Sequence, residues 1–202
     1  MFDVLIIGGG VSGVSCALVL GSAYKKAFAQ DKKIGIIIHQ KTSSLQEALF
    51  NNAYGIPAGK LGSELLTESV AQLHNLYPHV AQIENEKVLK IEGEYPNFNV
   101  ITNKSSYQTK TIVIGIGSAN TFAIEGLMDF VEPHKKAIVE KQRIQLKNDD
   151  HKVAEGIYVA GTLAGHRSQL AIAAGSGAAV ATDILTLWNE GISSQAHDSI
   201  RK

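Results

Sequence analysis

The segment Val4-Leu5-Ile6-Ile7-Gly8-Gly9-Gly10-Val11-Ser12-Gly13 constrains this chain more than any other. Four apolar residues run without a polar break, as in a strand buried on both faces. Three glycines follow, and from Val11 to Gly21 the residues are small, apolar and compatible with a helix. After a lysine-rich connection from Tyr24 to Lys33, Ile34-Gly35-Ile36-Ile37-Ile38 supplies a second strand of the same buried kind, so the opening segment reads as a βαβ unit. Gly8, Gly10 and Gly13 stand in Gly-x-Gly-x-x-Gly spacing at its turn. The first allows the tight turn, the second lets a pyrophosphate approach the backbone, and the third lets helix and strand pack closely. The helix N-terminus at Val11 and Ser12 adds N–H donors and a partial positive charge. In this context the spacing points to a bound dinucleotide.

Such a fingerprint ordinarily has an acidic residue at the end of the second strand to accept from the ribose hydroxyls. Here His39 and Gln40 stand there. Either can accept a hydrogen bond, without the charge assistance that makes such contacts about twice as strong. His39 is therefore either a cofactor contact or a strand-end polar residue that meets solvent.

Composition narrows the classes. The chain has 202 residues, 45% of them hydrophobic, enough to bury about 70% of the unfolded surface. Nineteen basic and nineteen acidic residues leave no net field for steering nucleic acid or anionic lipid. The single cysteine excludes an internal disulfide or Cys-x-x-Cys pair and suits a reducing compartment, and the seven histidines lack the spacing of a metal site. No apolar run approaching about 18 residues and no basic leader is apparent, so the expectation is a cytoplasmic protein without membrane association.

Without a linker to divide it, the chain reads as one domain over residues 1–192 with a polar tail over 193–202 that frays. Gly62 to Leu76 carries apolar residues at helical spacing, ended by Pro78. Segments near Val80–Ile83, Lys87–Ile91, Phe98–Thr102 and Tyr107–Thr109 alternate, which predicts a small antiparallel meander. Thr111–Ile114 and Gly156–Ala160 read as two further buried strands, ending at Gly115-Ile116-Gly117 and Gly161, and a small-residue helix runs from about Ser168 to Trp188. The expected fold is α/β: a three-layer, Rossmann-like dinucleotide-binding domain with a central parallel sheet whose strand ends face one crevice.

Taken in order, these motifs resemble the thioredoxin-reductase-like branch of the two-dinucleotide-domain flavoproteins. Asn51-Asn52-Ala53-Tyr54-Gly55-Ile56-Pro57 is similar to that family's Glu-Asn-Tyr-Pro-Gly-Phe-Pro stretch, which implies Asn52 beside the flavin. Ile112-Val113-Ile114-Gly115-Ile116-Gly117 resembles the end of that family's Ala-Thr-Gly strand, with Gly115 and Ile116 where the family has Ala and Thr. Gly156 to Thr162 resembles the motif Gly-x-Tyr-Ala-Ala-Gly-Asp, and Gln169-Leu170-Ala171 the helix start beneath the isoalloxazine ring. The resemblance implies FAD as cofactor, a redox partner protein or free NAD(P)H as partner, and, with the apolar stretch Ala119–Val131, a homodimer. It also exposes departures. Thr162 replaces the family's aspartate, and the short interval Ala119–Asp150 holds neither a second glycine fingerprint nor a cysteine where the family carries its NADPH-binding domain. That interval reads as a compact bridge.

Of the remaining residues, Cys16 is expected as a buried filler and Lys25, Lys26, Lys32 and Lys33 as a solvated face. Tyr54 is a flavin-edge ring or a surface cap, Leu185 and Trp188 suit core or dimer packing, and His166 and Arg167 are a reactive-end pair or a solvated loop. Three functions stay open: a single-domain FAD oxidoreductase, a dinucleotide fold that has lost its cofactor and serves as a binding module, and an enzyme using another adenine nucleotide such as NAD.

Overall fold

The structure, a computed structural model, describes residues 1–39 and 44–198. The chain begins with β1 (Phe2–Ile7), α1 (Val11–Ser22) and β2 (Ile34–Ile38). A minimal hairpin, β3 (Leu49–Phe50) and β4 (Lys60–Leu61), leads into α2 (Gly62–Leu76). Then come β5 (Ala81–Glu84), β6 (Val88–Glu94), β7 (Asn97–Thr102) and β8 (Ser106–Ile114), followed by a second small hairpin, β9 (Val131–Pro133) and β10 (Ile144–Leu146). β11 (Lys152–Ala154), β12 (Ile157–Val159) and α3 (Leu170–Trp188) close the order. The main sheet runs β11-β12-β8-β1-β2-β5, with β7 and β6 continuing from β8 as an antiparallel arm.

β1 lies at the centre because both its faces are apolar. Val4 and Ile6 point to the layer of α1 and α3, packing with Leu20, Ile36, Val180 and Ile184. Leu5 and Ile7 point the other way, into a second core with Ile112, Ile114, Leu127, Leu146 and Leu163. All these residues are less than 5% exposed. Each large side chain so buried contributes about 1.5–3 kcal/mol, the reason the run shows no alternation.

Two strands differ from their sequence reading. The segment placed first in the meander is β5, which pairs parallel to β2 through Ile36↔Gln82 and Ile37↔Ile83, at the sheet edge. A short, half-buried edge strand alternates like a meander strand, so periodicity could not separate the two. The segments Tyr107–Thr109 and Thr111–Ile114 are one strand, β8, which pairs antiparallel to β7 along its first half and parallel to β1 along its second. The meander is thus β6, β7 and the start of β8.

Two further expectations are corrected. α3 is, by length and composition, apolar enough to cross a membrane, because glycine, serine and threonine interrupt the apolar residues without making the helix polar. Its Val180, Ala181, Ile184 and Leu185 are fully buried against α1 and the sheet. Nor is the start of the tail loose: Ser194 is buried, receives a hydrogen bond from Asn189 Nδ2 at 2.9 Å, and donates its N–H to Thr186 Oγ1 at 3.1 Å. Asp198 accepts from the Tyr77 hydroxyl at 3.2 Å. Polar side chains pack here because the end of α3 and Tyr77 offer partners. The interval Ala119–Asp150 contributes Ile124, Leu127 and Leu146 to the second core, and so shares that core with the sheet.

Candidate functional site

The glycine turns meet where β1, β8 and β12 end side by side, with Ile7 and Val159 both in register with Ile114. The ladder continues one residue beyond each strand. Gly8 N donates to Ile37 O at 2.9 Å, Gly115 N to Ile7 O at 2.8 Å and Ala160 N to Ile114 O at 2.9 Å. This fixes the three turns against one another. A side chain at Gly13 would collide with the Gly8 carbonyl, so the third glycine of the fingerprint is needed for closeness, as its spacing implied.

Gly10 caps α1 in an extended conformation (φ −81°, ψ −176°) with no side-chain capping bond. The first N–H groups of the helix therefore face a cleft, unpaired by any cap. A Cβ at Gly10 would meet nothing nearer than Gly115 O at 4.0 Å. The backbone there tolerates any residue, and the space is left for something else. The cleft, about 260 Å³, is walled by Gly10, Val11 and Ser12 on one side and by Gly115, Ile116 and Gly117 on another. Gly161, Thr162, Gln169 and Leu170 close it from the third strand and α3, and Phe50 from the short hairpin. Ser12 is buried and donates to Gly115 O at 3.4 Å, tying α1 to the β8 turn.

A second cavity of about 360 Å³ continues past Ile116 and Gly117 to Gly8 and His39. His39 is exposed at its rim, and Gln40 lies outside the described residues. The same cavity contains Glu86, a residue that sequence reasoning missed. Its carboxylate accepts from Thr102 Oγ1 at 2.6 Å and from the Tyr107 hydroxyl at 2.9 Å, so its position is fixed. An acidic group thus lies near the end of β2 but arrives from the connection after β5, a neighbour no local motif announces.

Other candidates fall outside the cleft. Asn52 is exposed in the turn between β3 and β4 and does not line it, while Ala171 faces an apolar groove with Val14, Leu18, Tyr54 and Leu65. Tyr54 is fully exposed at that groove. Cys16 is fully buried, and desolvation pushes its thiol well above the ordinary range. Trp188 packs against the first core with Lys32 over its ring, 5.8 Å from the centroid.

Behind Thr162 lies a polar cluster the sequence did not reveal. Ser176 on α3 accepts from Gly161 N at 2.8 Å and contacts His151 Nε2 at 3.0 Å, and that nitrogen is 3.1 Å from His166 Nε2. Having accepted from Gly161, Ser176 has a proton to donate to His151 Nε2, while His151 Nδ1, 3.6 Å from the exposed Asp150, is buried without a hydrogen-bond partner. Burial, then His151 and Lys136, hold the pKa of His166 below its ordinary value.

Among the described residues no group of three or more His, Cys, Asp or Glu could hold a metal ion. No curated protein matches the chain by sequence. Among solved structures, a thioredoxin reductase from Gloeobacter violaceus superposes with a TM-score of 0.72 at 14% identity, over 99% of both chains. An oxidoreductase from Agrobacterium tumefaciens gives 0.69 at 15%, over 92% of this chain and 98% of the other. A ferredoxin-flavin thioredoxin reductase from Clostridium acetobutylicum gives 0.68 at 15%, over 93% and 98%. These likenesses share the fold, a mostly parallel FAD/NAD(P)-binding Rossmann-like sheet flanked by helices. The family model for pyridine nucleotide-disulphide oxidoreductases matches residues 2–162, from β1 through the third strand end at Thr162, and this chain belongs to that family.

Proposed function

We propose that the chain binds FAD across the ends of β1, β8 and β12 and acts as an oxidoreductase, with reducing equivalents coming from free NAD(P)H or a partner protein. The observation that carries this reading is the uncapped N-terminus of α1 facing a cleft beside a glycine whose Cβ direction is open. The residues fit a dinucleotide best at its pyrophosphate. Val11 and Ser12 present backbone donors, Gly117 leaves room, and Thr162 and Gln169 offer side chains to hydroxyls further along. The acid expected at position 39 has a counterpart in Glu86, which lines the same cavity as His39. When bound, FAD supplies the redox chemistry. The chain's part is to bind it, orient it and exclude water at Phe50 and Leu170. A dithiol relay within this chain is excluded by its single cysteine.

Visible absorbance of the purified protein, followed by titration with FAD, tests the reading. Flavin absorbance with saturable uptake is the expected result. A colourless protein that ignores added FAD favours the second reading, a binding module without cofactor. The observations on that side are His39, exposed at its rim, and the neutral Thr162 in place of a carboxylate.

A further inference from the structure

A third cavity, about 360 Å³, meets the dinucleotide cleft at Gly117, Thr162 and Ser168. It lies between the β9–β10 hairpin loop and the turn after β12. Its walls include Lys136, Lys141, Arg143, Arg167, His134 and His166, and no carboxylate. Elsewhere on the molecule Lys60, Lys90, Lys110, Lys135 and Lys152 are paired with Asp or Glu. Among the described residues none of the four lysines and arginines in this cavity makes a salt bridge. In a chain of zero net charge this concentration is local.

The hairpin loop that carries His134, Lys136, Lys141 and Arg143 is held in place, and Arg167 faces it from the turn after β12, where its carbonyl accepts from Gln169 N at 2.9 Å. His134 N donates to Arg143 O at 2.9 Å, Lys136 N to His134 Nδ1 at 3.1 Å and Lys135 N to Gln145 Oε1 at 3.0 Å. The fold therefore holds four like charges around one concavity, an arrangement that repulsion opposes and a bound anion relieves. The volume lies within the range of about 300–1,000 Å³ typical of small-molecule sites. Two guanidinium forks match phosphate oxygens, and the number of cations exceeds what a single carboxylate needs.

We infer that this cavity is a binding site for the diphosphate group of a small second ligand, seated beside the cofactor cleft. The inference rests on the FAD reading for its functional meaning, since it names the class of molecule that would approach the flavin. Binding itself requires no flavin. The source of the diphosphate is a nicotinamide dinucleotide or another nucleoside diphosphate.

Calorimetric titration of the full chain with inorganic pyrophosphate tests the site, with citrate as a control anion. Pyrophosphate is expected to bind in preference to citrate, and Lys141→Gln with Arg143→Gln to weaken it at least about tenfold while FAD affinity is unchanged. Gly10→Val is expected to leave pyrophosphate binding intact. NADPH or ADP binding more tightly than pyrophosphate, with the same sensitivity to Lys141 and Arg143, identifies the source. Absence of pyrophosphate binding overturns the inference, as does binding that survives the double variant, equals that of citrate, or disappears with Gly10→Val. A failed FAD reading looks different: a colourless protein that ignores FAD yet still binds pyrophosphate through Lys141 and Arg143.

Discussion

At the scale of single residues, Ser176 links the third strand end to a buried histidine. Its hydroxyl is the partner of the Gly161 N–H and also reaches His151 Nε2. Ser176→Ala leaves a buried donor unsatisfied, and chemical denaturation is expected to show a loss of about 1–3 kcal/mol. His166 titrates in the same cluster, facing His151, Lys136, His134 and Asp150. Its folded pKa is depressed below an unfolded value of about 6.5, so between the two the unfolded chain binds more protons. Its contribution to stability is complete above about pH 6.5 and is lost as pH falls through the folded pKa. Denaturation midpoints measured from neutral to mildly acid pH should therefore fall less steeply for His166→Gln than for the parent. Thr162, which both the cofactor cleft and the basic cavity share, offers a test of opposite signs. Thr162→Asp is expected to tighten FAD by roughly five- to thirtyfold through a charge-assisted hydrogen bond and to weaken pyrophosphate in the neighbouring cavity. Weaker FAD binding would mean that position 162 faces a phosphate.

At the scale of elements, the site depends on how closely α1 and α3 approach. Ser15 Oγ donates to Ala174 O at 2.8 Å between them, and a Cβ at Gly177 would collide with the Ser12 carbonyl. Gly177→Val must push α3 away from the start of α1, the turn proposed to hold the pyrophosphate. Stability is expected to fall by about 1–3 kcal/mol and FAD affinity to fall with it, as thermal melts and titration of the same preparation would show. This closeness was half legible in the sequence. Gly8, Gly10 and Gly13 announced the packing of α1 on β1, because their spacing has a fixed mechanical meaning, but nothing announced α3 against α1; α2 was legible in full because its apolar period and Pro78 agree. The edge strand β5 was not, since half-buried alternation suits a parallel edge as well as a hairpin. Glu86, Ser176 and His151 were illegible for a related reason. Each reaches the site across a strand or helix distant in sequence, and no local pattern encodes such a neighbour.

At the scale of the whole molecule, the proposed cofactor would join segments that the chain itself joins only through the sheet. The cleft takes its walls from α1, the β8 end, the third strand end, α3 and the β3 hairpin. A ligand that binds only when all are in place binds the folded state alone, and so stabilises it by mass action. At a free concentration one hundred times the dissociation constant this amounts to about 2.7 kcal/mol, which for a chain of this length corresponds to a rise in Tm of about 5–10 °C. The Gly10→Val variant separates that effect from any change in the fold. Its added side chain enters open space on an extended backbone, so its ligand-free Tm is expected to match the parent's. Added FAD should then raise the Tm of the parent and leave the variant's unchanged. An equal rise in both would move the cofactor away from α1, and a ligand-free variant that melts early would mean that Gly10 serves the fold and not the ligand.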